Sequence, residues 1–127
     1  MWICLNDAFL SIVRKDCGEG ELLVRARREG DIEKVFGRRV VVTKYTKSDY
    51  LYRAVISKED IAYAILQEID RINYPNFKNS VLDKPLHDAY ERVWATMAAL
   101  QPLRPYSGGF NFDRPTKKSR KTKGNAR

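Results

Sequence analysis

Few side chains in this sequence could carry out chemistry, and the first of them is the only histidine, His87. Asp83, His87 and Glu91 are spaced by four residues, so a helix would place all three on one face. Two neighbours in this row could share a metal ion, but its ends lie about 12 Å apart at the helical rise of about 1.5 Å per residue. We therefore expect a solvated helix face and no metal centre.

A cysteine nucleophile would require Cys4 or Cys17 to pair with His87. Cys4 lies in an apolar stretch and is expected to be buried, whereas the acidic neighbours Asp16 and Glu19 disfavour a thiolate at Cys17. The glycine patterns of phosphate-binding loops and the G-x-S-x-G pattern are absent. The sequence therefore predicts a protein that is not an enzyme and needs no cofactor.

The charge of the chain is concentrated at its end. Residues 1–101 hold 16 basic and 15 acidic side chains, whereas residues 102–127 hold eight basic side chains and one acid. From residue 116 onward alanine is the only apolar side chain, so we expect a single domain over residues 1–102 and a flexible tail over 103–127. The tail could bind nucleic acid or serve only solubility through Lys117, Lys118, Arg120, Lys121, Lys123 and Arg127.

A second basic group lies within the predicted domain. Arg25 and Arg27 share one face of a predicted strand, and Arg53 could point the same way from another strand. An open sheet face with arginines and aromatic rings can hold single-stranded nucleic acid, and stacking surfaces could come from Tyr45, Tyr50 or Tyr52. The alternative interpretation is an ordinary solvated face with cross-strand pairs.

Large aromatic side chains beside the helices are the candidates for a protein-binding surface. Trp94 lies beside the apolar seam of the last predicted helix, and Tyr63 flanks the stripe of the helix before it. Such residues are common anchors at protein interfaces. We expect instead that Trp94 and Trp2 complete the core, because a domain of roughly 100 residues has few other large side chains to fill it.

The elements that must position these residues follow from the hydrophobic pattern. Residues 2–14 predict one strand broken at Asn6 and Asp7, or two short strands. Further strands are predicted at residues 22–27, 40–45 and 50–56, and helices at 30–37, 57–72 and 84–100. Ser57 is expected to cap the second helix, and residues 74–77 are expected to form a loop.

The order ββαββαα predicts an α+β fold, a two-layer sandwich with about four mostly antiparallel strands and two to three helices on one face. It is the order of a ferredoxin-like sandwich whose last strand has moved to the front, a permuted ferredoxin-like fold. Apolar stripes predict the buried helix faces: Ile61, Ile65, Ile69 and Ile72 with Ala62 and Leu66, and then Leu86, Tyr90, Val93, Met97 and Leu100.

Location is predicted by what the chain lacks. No apolar run approaches the roughly 20 residues that a membrane helix needs. The start of the chain has no positively charged region of the kind that opens an export signal. We expect a cytoplasmic protein that does not contact the membrane and is a monomer or a homodimer.

Four stretches together resemble a group of small bacterial proteins of unknown function. They are WICLNDAFLSIV at residues 2–13, LLVRARREGDI at 22–32, YPNFKNSV at 74–81 and HDAYERVW at 87–94. The resemblance spans most of residues 1–101 and does not include the tail. It implies a bacterial or phage setting, and it carries no activity or catalytic residues.

Two functional hypotheses follow. The first is a small non-enzymatic protein that contacts DNA or RNA mainly through its basic tail, without sequence specificity because phosphate contacts carry none. The second is a protein-binding accessory or inhibitor factor carried by a bacterial mobile element, in which the tail is incidental.

Overall fold

Five antiparallel strands form the centre of the fold, in the order β1-β2-β3-β5-β4. A computed structural model describes residues 1–102 of the chain. Its elements are β1 Trp2–Cys4, β2 Phe9–Val13, β3 Glu21–Ala26, α1 Asp31–Phe36, β4 Thr43–Lys44, β5 Tyr52–Ser57, α2 Lys58–Asp70, α3 Phe77–Ser80 and α4 Lys84–Ala98. No helix within residues 1–102 is long and apolar enough to cross a membrane.

The strand order confirms the predicted α+β class. The chain leaves β3 through α1 and returns at β4, passing over β5, so that β5 lies between them. The order β2-β3-β5-β4 is the one that a ferredoxin-like sheet with its last strand moved to the front requires. The sheet has five strands rather than four because a tight turn, in which the N–H of Leu5 donates to the carbonyl of Ala8 at 2.8 Å, separates β1 from β2.

The main core lies between one face of the sheet and the helices α1 and α2. Alternate residues of β2, β3 and β5 point into it, as the two-residue period of a strand requires. The buried side chains are Leu10, Ile12, Val24, Ala26, Ala54 and Ile56 from the strands, with Ile32 from α1 and Ile61 from α2. Each large aliphatic side chain buried here contributes roughly 1.5–3 kcal/mol to folding.

A second, smaller core joins the chain around α3 and the start of α4 to the beginning of β2. Val81, Leu86 and Tyr90 are buried there against Phe9 and Phe77. The hydroxyl of Tyr90 donates to the carbonyl oxygen of Ala8 at 2.9 Å, and burial raises the pKa of this phenol. Because Phe9 alternates with the core residue Leu10, this cluster lies on the sheet face that points away from α1 and α2.

The structure can be compared with several predictions for single elements. The hydroxyl of Ser57 accepts from the N–H of Asp60 at 3.1 Å, which confirms the predicted cap of α2. The strand predicted at 40–45 is shorter, because Val40 and Val42 pack against the core from a loop. The predicted loop at 74–77 leads into α3, whose first turn is capped by the side chain of Asn76.

The apolar stripes of the two long helices are buried over only part of their length. Ile61 in α2 is buried, but Leu66 and Ile69 are exposed, as is Ile72 just after the helix. Leu86 and Tyr90 in α4 are buried, whereas Val93 and Met97 are exposed, as is Leu100 just after the helix. Spacing shows which side chains share a helix face but not how far a packing surface extends along that face.

Residues 1–91 form one compact unit, and a second unit begins at Arg92, inside α4. Within the second unit, the hydroxyl of Thr96 donates to the carbonyl of Arg92 at 2.9 Å. The predicted tail at 103–127 lies outside the described residues.

Candidate functional site

Two of the predicted basic residues are brought together by the pairing of β3 with β5. In the register of the sheet, Arg25 lies opposite Ser11 on one side and opposite Arg53 on the other, and Arg53 in turn lies opposite Thr43. These side chains share the sheet face that points away from α1 and α2, because their sequence neighbours Val24 and Ala54 are in the main core. We call this side of the sheet the arginine face.

Arg25 is held at the middle of the arginine face by two contacts. Its Nη2 donates to the hydroxyl of Ser11 at 2.8 Å, and its guanidinium carbon lies 4.5 Å from the ring centroid of Tyr50. Ser11 has no exposed surface, so it offers Arg25 a fixed acceptor. The buried Nε of Arg25 has no hydrogen-bond acceptor among residues 1–102.

Arg27 shares the same aromatic ring and lies just beyond the end of β3. Its guanidinium carbon is 4.3 Å from the centroid of Tyr50, and its Nη1 donates to the backbone carbonyl of Asp49 at 3.0 Å. Tyr50 is only 4% exposed. Two guanidinium groups therefore pack on this ring, and each cation–π contact contributes about 0.5–2 kcal/mol of stabilisation. The ring is covered by these contacts and does not offer a stacking surface to a ligand.

Arg53 is fixed by the loop that precedes β5. Its Nε donates to the carbonyl of Tyr50 at 3.4 Å, and its Nη2 donates to the hydroxyl of Ser48 and to Oδ1 of Asp49 at 3.4 Å. Its guanidinium carbon lies 5.6 Å from the ring centroid of Tyr45. Tyr45 is 51% exposed, so part of its ring remains open to solvent.

The arginines carry more charge than their neighbours neutralise. Within the described part of the chain the carboxylate of Asp49 contacts Arg53 alone among them, and the Asp49 side chain is 66% exposed. The N–H of Tyr50 lowers the pKa of Asp49 by donating to this carboxylate, and the hydroxyl of Ser48 and the charges of Arg25 and Arg53 act in the same direction. We call Arg25, Arg27 and Arg53 the arginine cluster; together with Asp49 it keeps a net positive charge.

Tyr52, the third predicted stacking residue, is not part of this surface. It is paired with Ala26 and packs against the main core. Tyr52 and Arg53 are consecutive in a strand, so their side chains must point to opposite faces. The prediction of a stacking role for Tyr52 is therefore wrong, although the nearby Nζ of Lys44 lies 5.8 Å from its ring centroid.

A shallow hollow of about 400 Å³ lies on the sheet beside Arg53. Leu23 and Val55 form part of its surface and are cross-strand partners in β3 and β5. Its lining residues are Asp16, Leu23, Val41, Thr43, Tyr45, Arg53, Ala54 and Val55. The hollow therefore combines an apolar floor with an aromatic ring, a guanidinium group and a carboxylate at its margin.

The candidates for a protein-binding surface are Tyr63, on the helix that packs against the opposite face of the sheet, and Trp94, in the second unit. Tyr63 is 65% exposed and Trp94 is 48% exposed, while the six basic residues of the tail lie outside the described residues. Trp2 is 70% exposed on the edge strand, where its ring meets Phe9 edge-on at 6.1 Å between centroids. The expectation that both tryptophans complete the core is wrong, because aliphatic side chains from strands and helices fill that space.

The histidine and the cysteines lie elsewhere. His87, Asp88 and Glu91 place potential ligand atoms within 4.8 Å of one another, but the Nζ of Lys84 already lies 2.8 Å from Oδ2 of Asp88. This ammonium group lowers the pKa of Asp88. A metal ion bound by Asp88 would therefore have to compete with the positive charge of Lys84. Asp83 does not join them, since it pairs with Arg28.

The prediction of a buried Cys4 is wrong. Cys4 is exposed on β1, because an edge strand is covered on fewer sides than a central one, although partial desolvation still raises the pKa of its thiol. Cys17 is half-buried, and its Sγ donates to the carbonyl of Glu21 at 3.4 Å. Neither cysteine forms a disulfide bond, so both are free thiols.

Sequence reasoning missed one buried charge, Asp31. It is 1% exposed at the start of α1 and accepts from the N–H of Phe9 at 3.1 Å. Arg28 and Lys34 approach its oxygens at 3.4 and 3.6 Å. The only signal was an acidic residue in the first turn of a short helix, which indicates favourable electrostatics but not burial.

Chemically, the arginine face can bind an anion. Guanidinium groups present several N–H donors in a planar arrangement that suits the oxygens of phosphate and carboxylate groups. No protein-family model, curated protein or solved structure matches this chain.

Proposed function

We propose that this protein binds nucleic acid in the cytoplasm, through the arginine cluster and the basic tail at residues 103–127. The observation that supports this most is the arrangement of Arg25, Arg27 and Arg53 on one sheet face, where only Arg53 forms an ion pair with a carboxylate within residues 1–102, that of Asp49. An ordinary solvated face pairs its cations with acids across the strands, whereas here Arg25 lies opposite Arg53. Such an excess of fixed positive charge favours a polyanionic partner.

The arginines are held in place before any ligand arrives. Tyr50 fixes Arg25 and Arg27, and Ser48 and Tyr45 hold Arg53. A long side chain that is already ordered loses less conformational entropy when it binds, at about 0.5–1.5 kcal/mol saved for each such side chain. The cluster is therefore better suited to phosphate binding than three mobile surface arginines would be.

The tail would add affinity of a less specific kind. Its six clustered basic residues carry no acid among them, from Lys117 to Arg127. If all six contacted phosphates, the logarithm of the binding constant would fall with the logarithm of the salt concentration with a slope of about −5 on duplex DNA. The domain would then fix where the polymer lies, and the tail would strengthen its retention.

The test of the cluster is a change of one charge in the full-length chain. Arg27→Gln removes an exposed guanidinium group. Within residues 1–102 this group donates one hydrogen bond, to a backbone carbonyl, so the fold should be little affected. Fluorescence anisotropy with a labelled single-stranded oligonucleotide should show weaker binding and a salt slope reduced by about 0.7. Arg71→Gln, which removes the same charge next to α2, is the matched control.

The test of the tail uses the same measurement. A full-length variant with all six basic tail residues replaced by glutamine should lose most of its salt dependence if the tail supplies the larger share of binding. The proposal fails if the wild-type chain has no measurable affinity for DNA or RNA, or if neither the Arg27 variant nor the tail variant differs from the control.

The alternative, a protein-binding accessory factor, has one observation in its favour. Four large apolar side chains are exposed on and just after α2, and Leu66 and Ile69 are neighbours on the helix surface; the four are Tyr63, Leu66, Ile69 and Ile72. Exposed apolar groups of this kind are found at protein interfaces. A chain without nucleic-acid affinity whose homodimer or heteromer is disrupted by Leu66→Gln would favour this second function.

A further inference from the structure

We infer that the hollow beside Arg53 holds an unpaired nucleobase, so that the ligand is single-stranded rather than duplex nucleic acid. This inference rests on the proposed function and adds the class of ligand to it. It is carried by the position of the hollow on the same sheet face as the arginine cluster, and by the chemistry of its lining.

The first argument is continuity with the arginines. Arg53 lines the hollow and is also the cross-strand partner of Arg25. Neighbouring strands are about 4.8 Å apart, so Arg25 lies one strand away from the edge of the hollow that Arg53 forms. A nucleotide whose phosphate contacts Arg53 would therefore bring its base next to the hollow rather than into open solvent.

The second argument is the nature of the floor. Leu23 is 4% exposed and Val55 is 44% exposed, and together they present an apolar patch on the strand pair β3 and β5. The volume of about 400 Å³ lies within the usual range for small-ligand sites, about 300–1,000 Å³. The flat, apolar faces of a nucleobase match such a floor, whereas a phosphate or a sugar does not.

The third argument is the exposed aromatic ring at the side of the hollow. Tyr45 lines the hollow and is 51% exposed, unlike Tyr50, whose ring is covered. Aromatic rings that remain open beside basic groups are the stacking surfaces of proteins that bind single strands. Arg53 lies over the ring of Tyr45 and would continue the stack, because guanidinium planes also stack on bases.

A duplex cannot use this hollow. Its phosphates could reach the arginine cluster, but its bases are paired and stacked on one another, and exposing one costs free energy. The two parts of the surface therefore make different demands on a ligand. The arginines accept any phosphate backbone, and the hollow accepts only a base that is not paired.

The test compares single strands with a duplex on the full-length chain. The probes are a labelled 12-nucleotide DNA strand, the RNA strand of the same sequence and the DNA duplex. Tyr45→Ala should weaken binding of the preferred single strand about tenfold, which is within the range for one base–aromatic stack, and should change duplex binding much less. Tyr45→Phe, which restores the ring, should recover the affinity, and Tyr63→Ala is the control for loss of an exposed tyrosine elsewhere.

A second measurement does not depend on the variants being folded. A strand carrying 5-iodouracil is cross-linked to the wild-type chain by light, and the attached peptide is identified by mass spectrometry. We expect the modified peptide to contain Tyr45. The DNA and RNA arms identify the preferred polymer, and tighter binding of either strand than of the duplex supports the inference.

The outcomes separate the two proposals. If single strands and duplex bind equally and Tyr45→Ala weakens both or neither, the inference is overturned while nucleic-acid binding stands. If cross-links form only outside the hollow, the inference is also overturned. If no nucleic acid binds, the proposed function has failed, and with it the inference.

Discussion

Arg25 and Arg53 are directly opposed across β3 and β5, the strand pair at the centre of the sheet. Like charges at opposed positions destabilise a sheet. Here the repulsion is offset locally, since Arg25 donates to Ser11 and lies over Tyr50, and Arg53 contacts the carboxylate of Asp49. The contacts of each arginine with its own neighbours therefore hold two positive charges side by side at the centre of the sheet.

The repulsion predicts a coupling of defined sign between the two arginines. Arg25→Gln and Arg53→Gln should each destabilise the chain by removing hydrogen bonds. The double variant should lose more than the two losses added together, because either single substitution already relieves the repulsion, which the double variant can relieve only once. The expected difference is about 0.2–1 kcal/mol, measured by urea unfolding of all four proteins. A double variant that loses less than the combined losses would show that the pair is favourable, contrary to this prediction.

Tyr50 should support the cluster through its ring and not through its hydroxyl. Tyr50→Leu keeps an apolar side chain but removes the aromatic ring on which Arg25 and Arg27 pack. The loss of these two cation–π contacts should lower the free energy of unfolding by about 1–4 kcal/mol. Oligonucleotide affinity should fall as well, because the arginines lose their fixed positions. Tyr50→Phe should retain both properties. Equal effects of the two substitutions in thermal unfolding and anisotropy would contradict the role of the ring.

Parts of this surface were accessible from the sequence and parts were not. The two-residue period of strands placed Arg25 and Arg27 on one face, and the same rule, applied to Tyr52 and Arg53, would have excluded Tyr52. That Arg25 meets Arg53 depends on strand register, which is set by pairing across distant parts of the chain. The role of Tyr50 could not be predicted, because it comes from a loop and is defined only by what packs on it.

The same distinction applies to the fold. Alternation and helical spacing predicted the element types, and the chain order predicted the sheet topology around β3 and β5. Burial was predicted less well: Cys4 and Trp2 lie on an edge strand, and the apolar stripe of α2 continues past the point where Ile61 is covered. Local patterns describe how a segment can pack, whereas tertiary arrangement determines which segments are covered.

Asp49 should act against ligand binding and in favour of folding. Its pKa is lower in the folded chain than in the unfolded chain, so its ionised form stabilises the fold above the unfolded pKa of about 3.9, and this contribution is lost as the pH falls through the folded value. Asp49→Asn should therefore flatten the loss of stability in acid, measured by thermal unfolding between about pH 2 and pH 6. At neutral pH the same variant should bind oligonucleotides more tightly, because the arginine cluster loses the negative charge beside it and its net positive charge rises. Weaker binding by Asp49→Asn would mean that the carboxylate helps to hold the arginines for the ligand.

Asp31 should be among the side chains most important for stability. It is buried, accepts from the N–H of Phe9, and faces Arg28 and Lys34, so Asp31→Ala would leave these groups without their acceptor. The N–H of Phe9 would be left without its acceptor, and an unsatisfied backbone donor of this kind costs about 1–3 kcal/mol. Asp31→Asn, which keeps an oxygen for Phe9, should lose less. Urea unfolding checks the order, and an alanine variant as stable as the asparagine variant would contradict it.

Asp16 gives the hollow a means of distinguishing bases. It lies at the margin beside Leu23 and Val55, and a carboxylate accepts hydrogen bonds from exocyclic amino groups but not from carbonyl oxygens. Cytosine offers such an amino group, and N3-methylthymine has neither an amino group nor an N3–H donor, so oligo-dC should bind about fivefold more tightly than a strand of N3-methylthymidine, the equivalent of one hydrogen bond of about 1 kcal/mol. Asp16→Ala should abolish this preference. It should raise the affinity for the strand that makes no hydrogen bond with Asp16, because it removes a negative charge near the phosphates. A preference for oligo-dC that persists in Asp16→Ala would show that another group distinguishes the two bases.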